Sequence, residues 1–392
     1  MQKINVGFIG AGAFISATHL KTAGETDFIN IAAIADLNED LLAAHRKKYN
    51  IGYTTTDYKK LLADENIPLV VIGTRQDTHA ALIVEALDAG KWVWCEKPMC
   101  ESDEEAALVL AAEKRNPGKL AIGFNRRFAP AVQKAMEIMQ EKMPRPWIIN
   151  YRLQSNGGYK TNPHDKFYHN RAHIVYEGCH HLDLISFIMG ELPERVFMSG
   201  TGDENDISIL EYRDGSRFVF TCTSHAGAAL MEKELMEVFS SGGAISIREF
   251  TDMRVRGIEN EHDYLFAPTR CPADDMILQY GFDSWHAFQS RIVEPDRSPS
   301  QKLPPVQLAF KEQPFLEKIE EFYQAMKDLP WYDRNFQVAK GWIEAFQHFC
   351  YCCMTGQEPQ TADGNAGKLA NDIAFVLLES KKTGLPQYFK NN

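Results

Sequence analysis

The sequence predicts an α/β chain in two parts. An N-terminal doubly wound parallel sheet is followed by a second α/β domain with an open, mainly antiparallel sheet. Three observations predict this. Apolar runs without polar alternation recur through residues 1–125, separated by capped helical stretches, as in a parallel sheet covered on both faces. After Arg127 the apolar runs follow one another with few helices between them. The length of 392 residues also exceeds one ordinary domain.

The first part reads in order. Strand-like runs lie at Ile4–Gly10, Ile29–Asp36, Leu69–Thr74, Trp92–Glu96 and Leu120–Asn125. Asn38 precedes a helical stretch over Glu39–Tyr49, and Asp57 precedes Tyr58–Ala63. The helix over Thr78–Ala89 stops at Gly90, and Ser102 to Glu105 form a capping box opening a helix to Arg115. These elements define a first domain over 1–125 and leave 126–392 for the second.

In the second part a helix is expected over Pro130–Glu141, broken by Pro144 and Pro146. Strands are expected at Trp147–Leu153, Ile207–Tyr212, Arg217–Thr223, Leu235–Ser240 and Ala244–Arg248, with a helix near Gly178–Met189. The stretch 255–310 is rich in Pro, Asp and Arg and reads as long ordered loops; 255–335 as a whole has the character of an insertion. Helical patterns return at Pro314–Asp328, Val338–Met354 and Gly367–Lys382, the last of them free to pack back on the first domain.

Composition narrows the function. Forty-two Lys and Arg against 53 Asp and Glu leave a formal charge of −11, which repels a phosphate backbone and argues against nucleic acid. The apolar share of 44% and charged share of 24% are those of an ordinary globular protein. No apolar run approaches the roughly 18 residues of a membrane span. The N-terminus reads as a first strand rather than a signal peptide, and the eight cysteines show no paired CxxC set, so reduced thiols in a cytoplasmic enzyme are expected.

Gly10-Ala11-Gly12 follows the first strand and opens a helix. Glycines suit that place because the chain turns tightly and its backbone must approach a pyrophosphate, while the helix N-terminus (Ala13, Phe14, Ile15) offers free N–H groups. Asp36 closes the second strand 24 positions after Gly12, where a carboxylate can bind a ribose diol. Leu37 and Asn38 follow it without an arginine for a 2′-phosphate, which favours NAD over NADP. The third fingerprint position is Ile15 rather than glycine, so Ser16 or Ala17 is expected to allow the close helix packing.

The fifth strand ends in Glu96-Lys97-Pro98. Ligands of open parallel sheets bind at the carboxyl ends of strands, which points Lys97 into the cofactor crevice as a proton acceptor for an alcohol.

With Thr74-Arg75-Gln76-Asp77-Thr78-His79, Gly123 to Pro130, Glu177-Gly178-Cys179-His180-His181-Leu182-Asp183 and Lys233 to Phe239, these blocks resemble the Gfo/Idh/MocA oxidoreductases. They are most like the Gfo/Idh-type half of two-part sugar dehydrogenases. The resemblance implies a Rossmann domain, a sheet that often forms a dimer or tetramer interface, and a bound nicotinamide cofactor. It implies cofactor contacts from Thr74, Arg75, His79, Glu96, Lys97 and Asn125, and catalytic roles for Lys97 and His180. Many members carry Asp four residues before that histidine; here Tyr176 stands there, followed by Glu177, and either can be the hydrogen-bonding partner.

Asp183, three residues after His180, shares its helix face and is expected to hold substrate. Of Arg126 and Arg127, one is expected to face the crevice and the other to pair with surface carboxylates. Five histidines fall between 164 and 181, but no metal-ligand spacing fits, so no metal is expected. Tyr159, His164, Tyr168, His169 and Arg171 read instead as the polar lining of a sugar pocket. The expected function is NAD-dependent hydride transfer at a secondary alcohol of a sugar, glycoside or cyclitol, in a homodimer or homotetramer. The alternatives are an NAD-dependent glycoside hydrolase using transient C3 oxidation, a reductase of a keto-sugar nucleotide, and a non-catalytic cofactor-binding regulator.

Overall fold

A computed structural model describes residues 3–154, 172–202, 205–223, 232–266, 313–329 and 339–389. Two compact units emerge: residues 1–128, 182–184 and 341–372 in the first, and the remainder in the second.

The first unit carries six strands, β1 (Ile4–Ile9), β2 (Ile29–Ala35), β3 (Tyr53–Thr55), β4 (Leu69–Ile72), β5 (Trp92–Cys95) and β6 (Leu120–Ile122). They pair in parallel in the order β3-β2-β1-β4-β5-β6. Chain direction across the sheet reverses between β1 and β4, which opens a ligand crevice at the carboxyl ends of those strands. Strands β4 and β6 are buried at every position, which requires cover on both faces. The helix Trp342–Thr355 supplies part of that cover: Phe346 and Phe349 pack on Trp94 with ring centroids 5.6 and 6.0 Å apart. Five strands match the expected runs. The sixth, β3, escaped because none of its three residues is buried, so it has no apolar signature.

The second unit is built on a nine-stranded sheet. Its members are β7 (Ile148–Gln154), β8 (Arg195–Thr201), β9 (Asn205–Glu211), β10 (Arg217–Thr223), β11 (Glu234–Ser240), β12 (Gly243–Arg248), β13 (Asp252–Arg256), β14 (Tyr264–Leu265) and β15 (Gln387–Tyr388). Among the described residues only the β7–β10 pairing of this sheet is parallel. Alternation is clean: in β10, Phe218, Phe220 and Cys222 are buried while Arg217, Val219 and Thr221 are not. The helix Cys179–Met189 brings His181 against the buried face, 5.0 Å from Phe220 and 4.6 Å from Tyr151 between ring centroids. Ile148, Ile207 and Phe239 remain exposed.

The expected loop over 255–310 is corrected at its start. There β13 and β14 extend the sheet, with Met253 and Val255 buried between the outward Arg254 and Arg256. Two buried positions among charges are too few to read as a strand. Residues 267–312 lie outside the described part.

Candidate active site

In the first unit the expected turn, Asp36, Thr74, Arg75, Glu96, Lys97 and Asn125 lie at or just beyond strand ends. Gly10 has φ +85, and a Cβ there would stand 2.7 Å from the Gly73 carbonyl oxygen, so only glycine closes this turn. A Cβ at Gly12 would meet nothing within 4 Å, which leaves the backbone of the turn open to a ligand. The Asp36 carboxylate is fixed against the same turn: Ala11 N–H donates to Oδ2 at 2.8 Å and Asn38 N–H donates to Oδ1 at 2.9 Å. Open backbone at Gly12 with a carboxylate beside it fits the pyrophosphate and ribose of a dinucleotide. Ala13 and Phe14 are exposed beyond the turn.

Ile15 departs from the expected packing. Its side chain is buried, and a Cβ on Gly73 would come within 2.1 Å of it. The close approach of helix to strand is therefore achieved by a glycine on the strand side. Ser16 and Ala17 are buried too, and the Ser16 hydroxyl donates to the Ala11 carbonyl at 2.8 Å.

Thr74 shares a 2.7 Å hydroxyl contact with Thr78, and exposed Arg75 pairs with Asp77 at 2.9 Å. His79 is buried, with Nδ1 2.8 Å from the Pro98 carbonyl and Nε2 3.2 Å from that of Thr74, so it ties the loop after β4 to the loop after β5. Burial holds its imidazole below the ordinary range, although the two carbonyls work the other way.

Glu96 is buried in the space that Gly123 leaves; a Cβ on that glycine would lie 2.8 Å from Oε1. His19 Nε2 donates to Glu96 Oε1 at 2.7 Å, and Trp94 Nε1 donates to the same oxygen at 3.3 Å. Burial pushes the Glu96 carboxyl up, but the hydrogen bonds from His19 and Trp94 and the Lys97 charge hold it below the usual range. Lys97 follows directly and is half-buried.

Asn125 and Arg126 are buried in the 3-10 turn Asn125–Phe128. Arg127 pairs with a buried carboxylate rather than the expected surface one. Its Nε donates to Asp183 Oδ2 at 2.9 Å and its Nη2 to Oδ1 at 2.5 Å. Both oxygens of Asp183 are thus engaged. Burial pushes the Asp183 carboxyl up to about 6, with Arg127 opposing.

The second unit holds another set. His180 and Tyr176 are buried, and Glu177 accepts from Lys233 Nζ at 2.6 Å. Beside them Glu234 accepts from Tyr151 Oη at 2.7 Å and Lys340 Nζ at 2.6 Å, with His181 Nε2 3.0 Å away. Tyr159, His164, Tyr168, His169 and Arg171 lie outside the described residues. Burial raises the thiols of Cys95, Cys222 and Cys350 well above their ordinary range, so these are inert. Among the described residues no group of His, Cys, Asp and Glu is arranged to hold a metal, and no helix is long and apolar enough to cross a membrane.

His19, Lys340 and the Arg127–Asp183 pairing were not singled out from sequence. A histidine seven residues past Gly12 carries no signal until its distant partner is known.

Residues 4–124 match the profile of the oxidoreductase family GFO_IDH_MocA, described as an NAD-binding Rossmann fold. An uncharacterized oxidoreductase, YrbE, of Bacillus subtilis is 29% identical over 240 residues, covering 58% of this chain and 65% of that protein. A myo-inositol 2-dehydrogenase of Thermotoga maritima is 26% identical over 263 residues, covering 63% and 77%. A levoglucosan dehydrogenase of Pseudarthrobacter phenanthrenivorans is 27% identical over 228 residues, covering 52% and 58%. The chain thus spans about 58% to 77% of the length of these curated relatives. Among solved structures, an oxidoreductase from Agrobacterium radiobacter in complex with NAD+, L-tartaric acid and magnesium superposes with TM-score 0.71 at 17% identity, over 99% of this chain and 98% of that one. A putative myo-inositol dehydrogenase from Sinorhizobium meliloti gives 0.69 at 19%, over 99% and 100%. At such identities the likeness shows a shared fold. The matched profile leads to one conclusion: residues 4–124 form an NAD-binding Rossmann domain of the Gfo/Idh/MocA oxidoreductase type.

Proposed function

We propose that the protein is an NAD-dependent oxidoreductase acting on a secondary alcohol, or the corresponding ketone, of a cyclitol, sugar or glycoside. The observation that carries this reading is the placement of Glu96-Lys97 at the carboxyl end of β5, in the same row of strand ends as the Gly10–Gly12 turn and Asp36. Relatives named as dehydrogenases of myo-inositol and levoglucosan support the substrate class.

When bound, the nicotinamide accepts or returns a hydride at the carbinol carbon. The turn at Gly12 and the N–H groups after it hold the pyrophosphate, and Asp36 holds the adenine-side ribose. Asp36 also repels a 2′-phosphate, which favours NAD over NADP. Lys97 takes the hydroxyl proton in the oxidative direction and gives it back in the reductive one. His180 has the second proton-handling role that the family resemblance implies, with Tyr176 or Glu177 as its partner. The bond from Arg127 to Asp183 fixes the helix Cys179–Met189 that carries His180 one turn earlier. The exposed apolar positions Ile148, Ile207 and Phe239 suit the open sheet face to a second copy, in a cytoplasmic homo-oligomer.

Incubation with NAD and a panel of cyclitols, sugars and glycosides tests the reading by NADH absorbance. Turnover of at least one polyol is expected. Glycoside cleavage without net NADH would instead mark transient oxidation followed by elimination. Binding of NAD without turnover of any polyol would mark a regulator.

A further inference from the structure

Buried in the first unit, His19 stands apart from the groups that the proposed chemistry uses. Its ring lies among Phe14, Trp94 and Phe346, at centroid distances of 6.3, 5.2 and 5.0 Å. Nδ1 is buried with no hydrogen-bond partner among the described residues, while Nε2 stands 2.7 Å from Glu96 Oε1. A proton on Nδ1 would be stranded among these rings, so it sits on Nε2 and is donated to the carboxylate. Seventy-seven residues of chain separate the two groups, so the contact belongs to the tertiary fold.

We propose that His19 is a positioning residue for Lys97, acting through Glu96: its donated hydrogen bond keeps the buried carboxylate ionised and oriented beside the lysine. The inference rests on the reading of Lys97 as the proton-transfer group. A buried carboxylate without such a donor takes up a proton. Lys97 would then lose its neighbouring negative charge, and its ammonium would release a proton more readily. The titratable groups that reach Glu96 are His19 from the helix His19–Glu25, His79 from the helix His79–Asp88, and Cys95 and Lys97 beside it in sequence. Of these, His19 is hydrogen-bonded to the carboxylate from another element and is fully enclosed. Gly123 complements it by leaving the volume that the carboxylate fills.

The test follows the Lys97 amine itself. Full-length protein, with and without NAD, is reductively methylated with 13C-formaldehyde, and the Lys97 resonance is assigned by its loss in Lys97→Met. Its titration is then compared in the parent, His19→Phe, His19→Gln and Glu96→Gln. His19→Phe should move it down by roughly one pH unit. His19→Gln, whose amide still donates, should stay with the parent. Glu96→Gln should move it at least as far as His19→Phe, and decides the matter if His19→Phe does not fold. An unmoved titration in Glu96→Gln, or equal displacement in His19→Phe and His19→Gln, overturns the proposal. Retained turnover in Lys97→Met would defeat the catalytic reading alone, because the titration reports the His19–Glu96–Lys97 linkage whether or not Lys97 transfers a proton.

Discussion

Arg127 grips Asp183 with two parallel hydrogen bonds, Nε to Oδ2 at 2.9 Å and Nη2 to Oδ1 at 2.5 Å, one helical turn beyond His180. The Asp183 side chain is 1% exposed and that of Arg127 13%. Removing Arg127 therefore takes both hydrogen-bond donors from a buried carboxylate. Arg127→Met is expected to destabilise the protein by about 3–5 kcal/mol, measured by urea unfolding. Arg127→Lys should recover only part of this, because an ammonium cannot reproduce the two-pronged geometry. A loss below about 1 kcal/mol in Arg127→Met would show that the pair does not hold the helix.

The same pair gives a pH signature. Burial raises the folded carboxyl of Asp183 from 3.8 to about 6. The folded state then binds more protons than the unfolded chain between those values, so this group's contribution to stability falls as pH rises through the window and levels off above it. Asp183→Asn lacks that dependence. Its stability relative to the parent should rise from pH 4 to about pH 6 and then stay constant. A difference that is flat across the window would contradict the raised value.

The two glycines of the turn should separate folding from binding. Gly10→Ala places a side chain at φ +85 against the Gly73 carbonyl, and is expected to cost about 1–3 kcal/mol or more of stability. Gly12→Val has open space around its Cβ, so its melting temperature should stay near the parent's while NAD affinity falls. Calorimetric titration with NAD and a thermal melt of each variant check both halves.

Asp36 should set the choice of cofactor. Asp36→Ser removes the carboxylate that accepts from Ala11 and Asn38. NAD affinity is expected to fall about tenfold and the preference over NADP to narrow, read from dissociation constants for both.

Much of the first unit was legible because a parallel sheet buried on both faces writes itself as unbroken apolar runs: β4, Leu-Val-Val-Ile, has no polar position. The edge strand β3 was not, because nothing on it is buried. In the second unit β8 alternates only Val196 and Met198 as buried residues within a mixed run, and β13 only Met253 and Val255. Such short patterns do not distinguish strand from loop. The candidate site divided in the same way. The turn, Asp36 and Lys97 are local features with a local signature. The fit of Ile15 to Gly73, the His19–Glu96 bond and the Arg127–Asp183 pair join residues far apart in sequence, by 77 and 56 positions in the last two. Only folding reveals such partners.

Lys97 is the group on which the proposed proton transfer depends. The direct measurement is steady-state turnover of Lys97→Met with the best polyol of the panel, alongside its dissociation constant for NAD. A loss of turnover of about 100-fold or more is expected, with NAD affinity within about threefold of the parent. Near-parental turnover in a variant that still binds NAD would contradict it.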